Sequence, residues 1–346
     1  MNLAARPWIV AVILSLLALS PAHAGMTPEE VRAFERFKAG AEQGNKFFQY
    51  NLGNCYSGGV GVAKDLMLAS VWYRKSAEQG LARAQYLVGH SYRAGQGVPK
   101  DLEQAFSWTL KAAEQGDDYA QFNIGLSYSN GDGVKKDDSL AVVWYRKAAE
   151  QGMVDAQYNL GACYENGSGV AKDLTQAIQW QRRAADKGLA LAQRSMAEFY
   201  ANGEGVTKDE VQAATWYQKA AEQGDASGQN ALGVYYFYGR GVAKDYKQAA
   251  FWYRKASDQG DAIAQSNLGE VYANGFGVAK DEIEAYAYYN LAAIDYEEAR
   301  KELDKLEKKL SREEIAAGQK RAKELHKEIE EKISAKKAEA DKQTGK

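Results

Sequence analysis

The fold class this sequence predicts is an all-α solenoid built from helix-turn-helix repeats. Three observations predict it. First, Gly-Val-x-Lys-Asp returns every 36 residues, seven times without a slip, beginning at Gly61, Gly97, Gly133, Gly169, Gly205, Gly241 and Gly277. A fixed period of about 20 to 50 residues marks a stacked-repeat architecture. Second, each period holds two short segments whose apolar residues recur at helical spacing, such as Ile124 with Tyr128 and Ala141 with Trp144 and Ala148. Third, a Gly-x-Gly separates the two segments, and a glycine just past a helix end can adopt the left-handed conformation that terminates it. One such unit cannot bury its own apolar stripe, so the units must stack.

The chain opens with a segment outside this pattern. Arg6 gives a positive start, Ile9 to Leu19 is apolar apart from Ser15, and Ala22-His23-Ala24 places small residues where a signal peptidase cuts. Residues 1–24 therefore read as a secretory signal, too short to be a spanning helix. The mature chain is expected to start near Gly25 and to be exported, either to the periplasm or out of the cell. No cysteine follows the cleavage point and no later segment is apolar enough to cross a bilayer. Neither lipid attachment nor membrane insertion after cleavage is expected.

Residues 25–44 repeat the pattern of a second helix through Ala33, Phe37 and Ala41-Glu42-Gln43-Gly44, and are expected to form a half-repeat cap. Seven repeats then cover 45–296. In each, the first helix carries a Leu-Gly pair or its equivalent: Gly53, Gly89, Gly125, Gly161, Gly233 and Gly269, with Ala197 in the fifth copy. Glycine inside a helix costs about 1 kcal/mol relative to alanine, so a close helix–helix approach is expected there as compensation. The aspartate of each Lys-Asp stands where the second helix starts and can accept its orphan backbone N–H groups. Trp72, Trp108, Trp144, Trp180, Trp216 and Trp252 share one register, filled last by Tyr288, and are expected to be the bulky core residue of each repeat. Residues 297–346 lose the repeat. Leu303, Leu306 and Leu310 keep helical spacing, and Ser311-Arg312-Glu313-Glu314 reads as a capping box opening another helix. The first part is expected to cap the array, the second to be a solvated charged helix, and the stretch after Lys336 to be without order.

At these residues the sequence resembles the Sel1-like repeat, an α/α relative of the tetratricopeptide repeat. The pattern is Ala-x-x-x-Leu-Gly-x-x-Tyr-x-x-Gly-x-Gly-Val-x-Lys-Asp followed by Ala-x-x-Trp-Tyr-x-Lys-Ala-Ala-Glu-Gln-Gly. The resemblance covers about three quarters of the chain. It implies a right-handed superhelix used for protein–protein contact, and exported bacterial members serve envelope, host-directed and scaffold roles. One branch of the family is cysteine-rich, with a disulfide in each repeat, and is associated with β-lactam binding and hydrolysis. This chain departs from it: only Cys55 and Cys163 are present, in one register three repeats apart. At about 10 Å per packed helix they stand on the order of 30 Å apart, whereas a disulfide needs Cα atoms within about 7 Å. Two free thiols are expected.

Catalytic chemistry finds little support. Apart from His23 in the signal segment, the histidines are His90 and His326, and no metal-ligating or nucleophile motif surrounds them. The Gly-x-Gly lacks the preceding strand and third glycine of a phosphate loop and recurs seven times. No cofactor, metal or enzymatic activity is expected. Charges nearly balance, with 44 basic against 46 acidic residues and no basic block, so nucleic acid is not an expected partner. The expected role is a monomeric scaffold holding a protein or peptide; a glycan or peptidoglycan-fragment binder is the alternative.

In the tetratricopeptide relative, particular first-helix positions line the inner surface. Counted from the Leu-Gly pair, the matching rows vary here: Asn54, His90, Leu126, Ala162, Glu198, Val234, Glu270; Tyr50, Tyr86, Phe122, Tyr158, Arg194, Asn230, Ser266; and Ser57, Arg93, Ser129, Glu165, Ala201, Phe237, Ala273. The core register is fixed by packing, so these rows are where a partner can be encoded. Aromatic and arginine side chains dominate interface energetics. Tyr86, His90, Arg93, Phe122, Arg194, Phe237 and Tyr238 are the expected partner-binding residues. The run Tyr235-Tyr236-Phe237-Tyr238 adds that at least one aromatic must be exposed, because one helix face cannot bury four in succession.

Overall fold

The computed structural model describes residues 25–344; the expected signal segment at 1–24 lies outside them. Among the described residues there are seventeen α-helices and no strand, the all-α solenoid that the 36-residue period requires. The chain divides into two compact units between Lys172 and Asp173. The first holds α1 (Pro28–Glu42), α2 (Lys46–Gly58), α3 (Leu66–Glu78), α4 (Ala82–Ala94), α5 (Leu102–Glu114), α6 (Asp118–Asn130), α7 (Asp138–Glu150) and α8 (Val154–Asn166). The second holds α9 (Leu174–Asp186), α10 (Ala190–Asn202), α11 (Glu210–Glu222), α12 (Ala226–Tyr238), α13 (Tyr246–Ser257), α14 (Ala262–Asn274), α15 (Glu282–Ala292), α16 (Glu297–Glu307) and α17 (Arg312–Thr344). Within each unit the repeat helices pack on their neighbours in the chain.

Local chemistry explains why the helices start and stop where they do. Every second helix is capped by the aspartate of its Lys-Asp; Asp137 Oδ1, for example, accepts from Leu140 N at 3.0 Å, and Asp65, Asp101, Asp173, Asp209, Asp245 and Asp281 do the same. Each first helix ends on the first glycine of Gly-x-Gly in the left-handed conformation, as at Gly131 with φ 82°. The second glycine has a different duty. Gly133 also has positive φ, and a Cβ there would stand 1.9 Å from the Leu102 carbonyl oxygen, so the turn lies directly on the second helix of the preceding repeat.

The intrahelical glycines do create a close approach; at Gly89 it is the Thr109 hydroxyl that approaches, and at four others it is a ring. A Cβ on Gly53, Gly125, Gly233 or Gly269 would lie 2.5 to 2.6 Å from the ring of Tyr73, Tyr145, Tyr253 or Tyr289 respectively. These tyrosines follow the tryptophan register by one residue. They are the deep aromatic of the second helix, and burial pushes the hydroxyls of Tyr73 and Tyr145 up to about 12. The tryptophans sit nearer the edge than expected. Trp144, Trp180 and Trp216 are buried, but Trp72, Trp108 and Trp252 are only half-buried. In five of the six, one face of the ring is covered by a cation three residues on, as with Lys147 Nζ 3.9 Å from the Trp144 centroid and Lys75 Nζ 4.0 Å from that of Trp72.

Buried glutamines join successive repeats. Gln85 Nε2 donates to the Ala77 carbonyl at 3.1 Å, and its Oε1 accepts from Gln115 Nε2 at 2.6 Å. Gln49, Gln121 and, in the second unit, Gln193 and Gln229 make the same two bonds. A buried amide left unpaired would cost about 1–3 kcal/mol, so this position is fixed by satisfaction of polar groups in an otherwise apolar core. Arginines of second helices add a second stitch, Arg74 to the hydroxyl of Tyr92 and Arg182 to that of Tyr200. Both thiols are free, and burial pushes that of Cys163 up to about 11.

The C-terminal helices differ from their expected form. Ser311 and Glu314 do form the capping box, Ser311 N donating to Glu314 Oε2 at 2.8 Å and Glu314 N to Ser311 Oγ at 3.2 Å. The helix they open is solvated on one side only and through its distal part, however, and it continues past Lys336 to Thr344. Ala322, Leu325 and Ile329 are buried in one cluster with Ala287, Tyr288 and Leu291 of α15. Arg321 Nε reaches Glu284 at 2.7 Å. The physical reason lies in α15, whose residues from Ala285 onward are apolar at every position but Asn290 and need cover on the outer face as well as the inner one.

Candidate functional site

The first unit gathers four of the expected residues. Tyr86, His90 and Arg93 stand on successive turns of α4, and Phe122 follows on α6. The Tyr86 and His90 rings are 6.5 Å apart, and His90 is exposed. Arg93 is anchored by its guanidinium, which donates to Ser127 Oγ at 2.6 Å and faces Asp132 at 3.5 Å. Phe122 is half-buried, its ring 5.9 Å from that of Tyr145.

Two residues that sequence reasoning missed complete this surface. The guanidinium of Arg83 lies 5.1 Å from the centroid of Tyr86 and 4.6 Å from that of Tyr119, and it pairs with Asp117 at 3.5 Å. The two tyrosine rings are 6.2 Å apart, and Tyr119 is exposed. Asn123 donates to the Tyr86 hydroxyl at 3.5 Å and to the Tyr119 carbonyl at 2.8 Å. Burial pushes the Tyr86 hydroxyl up, against the pull of Arg83. The signal for Arg83 and Tyr119 was present in the sequence. Positions 47, 83, 119, 155, 191, 227 and 263 are three residues before the Tyr86 row, so they extend the same stripe by one turn toward the helix N-terminus. That row varies as much as the others.

The remaining expected residues belong to the second unit. Arg194 is held by Glu198 at 2.9 Å and Asp225 at 3.3 Å. Phe237 is a correction. It is 8% exposed and packs against Tyr246 and Phe276, with centroids at 5.0 and 5.4 Å, so it fills core and offers no surface. The cause is its place at the end of α12, where the chain turns back and the next second helix closes over it. Its neighbour Tyr238 is the exposed aromatic of the run, at 58%, with the Arg240 guanidinium 5.0 Å from its ring.

What these surfaces offer is arginine and aromatic side chains already held in place by neighbours. Among the described residues, no group of histidine, cysteine, aspartate or glutamate could hold a metal ion, and no helix is long and apolar enough to cross a membrane.

A stacked helical-repeat scaffold presenting variable side chains from a constant core belongs to the class of protein-interaction solenoids. The model of the Sel1 repeat matches seven times in succession, over residues 47–81, 82–117, 118–153, 154–189, 190–225, 226–261 and 262–294, and the chain belongs to the Sel1 repeat family. Among solved structures it is similar to a Sel1 repeat protein from Oxalobacter formigenes, with 36% identity, 79% of each chain covered and a TM-score of 0.66. It is also similar to c5321, a protective antigen present in uropathogenic Escherichia coli strains that displays an SLR fold, with 30% identity over 89% of this chain and 82% of that one and a TM-score of 0.46. A third similarity is to immunity protein Pa5087 from Pseudomonas aeruginosa, at 24% identity over 62% of this chain and 81% of that one, with a TM-score of 0.39. No curated protein matches the chain.

Proposed function

We propose that this protein is exported, loses residues 1–24, and acts as a non-catalytic scaffold that holds a protein or peptide against the variable face of its first helices. In the first unit the anchors are Tyr86, His90, Arg93 and Phe122, extended by Arg83 and Tyr119; in the second they are Arg194 and Tyr238. The observation that carries this reading is the Arg83 guanidinium set against the faces of Tyr86 and Tyr119. An ordered cation–aromatic group loses little side-chain entropy on binding, which is what makes such residues effective anchors.

Site-specific photo-crosslinking tests it. A photoreactive residue replacing Tyr119 is expected to give a discrete protein adduct in intact cells, weakened by Arg83→Ala with Arg93→Ala. The same residue replacing Val143, exposed on the second helix of that repeat, is expected to give none. Equal adducts from both positions, or an adduct indifferent to the arginines, would refute the assignment. Fractionation with N-terminal sequencing tests export: a chain beginning near Gly25 in the envelope or medium is expected, and an intact Met1 in the cytoplasm would refute it.

A further inference from the structure

Beyond Ile329, α17 runs alongside the repeats, tied to them by lysine side chains, and leaves a cleft against them. The cleft lies between the distal part of α17 and helices α11 and α13, all within the second unit, and has a volume of about 830 Å³. That is the size range of small-molecule sites, roughly 300–1,000 Å³. Two large apolar side chains line it and remain open to solvent, Phe251 at 48% and Ile333 at 44%. Trp252 stands beside Phe251, their rings edge to face at 5.0 Å.

The rim is cationic. Lys255, Lys332, Lys336 and Lys337 line the cleft against two acids, Glu222 and Asp258. Lys332 is paired with Asp258 at 2.8 Å. Lys336 donates instead to the neutral amide oxygen of Gln259, at 2.6 Å, so that bond leaves its charge in place. Lys255 Nζ lies 5.4 Å from the centroid of Phe251, directly where aromatic floor meets rim. An apolar floor under an excess of ammonium groups selects a ligand with an anionic head and an apolar body. An acid head gains charge-assisted hydrogen bonds from lysine, while the body removes Phe251 and Ile333 from water.

We propose that this cleft is a binding site for an alkyl carboxylate, a single-chain amphiphile of the fatty-acid class, held by its carboxylate at Lys255, Lys336 and Lys337 and by its chain on Phe251, Trp252 and Ile333. The site is separate from the first-helix surface and stands or falls independently of it.

The test uses the full mature chain and the fluorescent anion anilinonaphthalene sulfonate. Decanoate, kept below its micelle concentration, is expected to displace the probe, whereas decylammonium at equal concentration is expected to leave it bound. Lys255→Glu with Lys337→Glu is expected to weaken decanoate at least tenfold, and Phe251→Ala about fivefold. All three positions are solvent-accessible, so circular dichroism is expected to report an unchanged fold. Val143→Ala, in the register of Phe251 but in the first unit, is the control and is expected to change nothing. Equal displacement by decylammonium, no displacement by decanoate, or unaltered binding in folded Lys255→Glu/Lys337→Glu protein would each overturn the proposal.

Discussion

Helices α7 and α15 occupy the same place in their repeats and solve opposite problems. In α7 one side is buried through Ala141, Val142, Tyr145 and Ala148, while Val143 and Leu140 face solvent. In α15 the corresponding outward position is Ala287, and Tyr286, Ala287, Tyr288, Tyr289 and Leu291 are all buried. The difference is the cover: α16 and α17 both fold onto α15. Tyr286 donates to Glu307 of α16 at 2.9 Å, and a Cβ on Gly318 of α17 would stand 2.5 Å from its ring. An interior repeat is stabilised by the repeats stacked on it; the last must recruit a cover from outside the pattern.

Alkaline pH is expected to give the largest effect on this comparison. Burial raises the Tyr145 hydroxyl in α7 and the Tyr288 hydroxyl in α15 from 10 to about 12, and also raises those of Tyr286 and Tyr289. The folded value lies above the unfolded one, so this stabilisation is complete below pH 10 and is lost as pH climbs toward 12. Helicity followed by circular dichroism, with phenolate absorbance recorded alongside, is expected to collapse in that window. Tyr288→Phe with Tyr289→Phe is expected to move the midpoint upward more than Tyr145→Phe, because α15 carries more raised phenols. A midpoint below pH 9, or equal shifts, would break the comparison.

Next comes charge placed under the cover. Leu325 is 4% exposed, and Leu325→Asp is expected to cost about 4 kcal/mol or more, because it buries a carboxylate with no assigned partner. Val143 is 47% exposed, and Val143→Asp is expected to stay within about 0.5 kcal/mol. Urea denaturation reads both. Similar costs would mean that α17 does not cover α15 in solution.

The turn glycines sharpen the contrast between interior copies. At Gly133 an added Cβ meets backbone, the Leu102 carbonyl at 1.9 Å, with φ +70°. At Gly205, with φ +69°, the nearest atom is the flexible Ile178 Cδ1 at 2.7 Å. Gly205→Ala is expected to cost about 1–2 kcal/mol from the left-handed backbone alone. Gly133→Ala is expected to exceed that by about 1–3 kcal/mol, the usual cost of overpacking. Thermal melts of the two variants that coincide would remove the carbonyl contact from the explanation. A smaller effect belongs to the caps: Asp137→Ala and Asp281→Ala are each expected to cost about 1 kcal/mol, nearly equal in spite of their different surroundings.

Much of this was legible in the residues. The cap aspartates and the terminating glycines follow from local chemistry, which acts over a few residues and leaves its mark in every copy; the free thiols follow from the three-repeat separation of Cys55 and Cys163. The candidate surface was only partly legible. The varying rows picked out Tyr86, His90, Arg93 and Phe122, which stand on α4 and α6, but stopped one turn short of Arg83 and Tyr119. Phe237 was misassigned because row membership gives a residue's angle around its own helix and says nothing of what closes over its end. In the repeats, the tryptophan period drew attention to the half-covered ring, while the tyrosine beside it, facing a glycine from another helix, turned out to be the deeper one.

The repeat length, the helix limits and the all-α class were determined by the sequence by itself, since each rests on short-range signals repeated seven times. The apolar run from Ala285 to Ala292, broken only by Asn290, was also written there, as a demand for a second partner. Tertiary structure alone decided what met that demand. Helix α17 carries so many lysines and glutamates that its composition reads as solvated, yet three apolar residues spaced at three and four, Ala322, Leu325 and Ile329, suffice to seat it. Whether such a sparse stripe is buried depends on an apolar surface of matching shape being within reach, and that surface exists only once the last repeat has stacked.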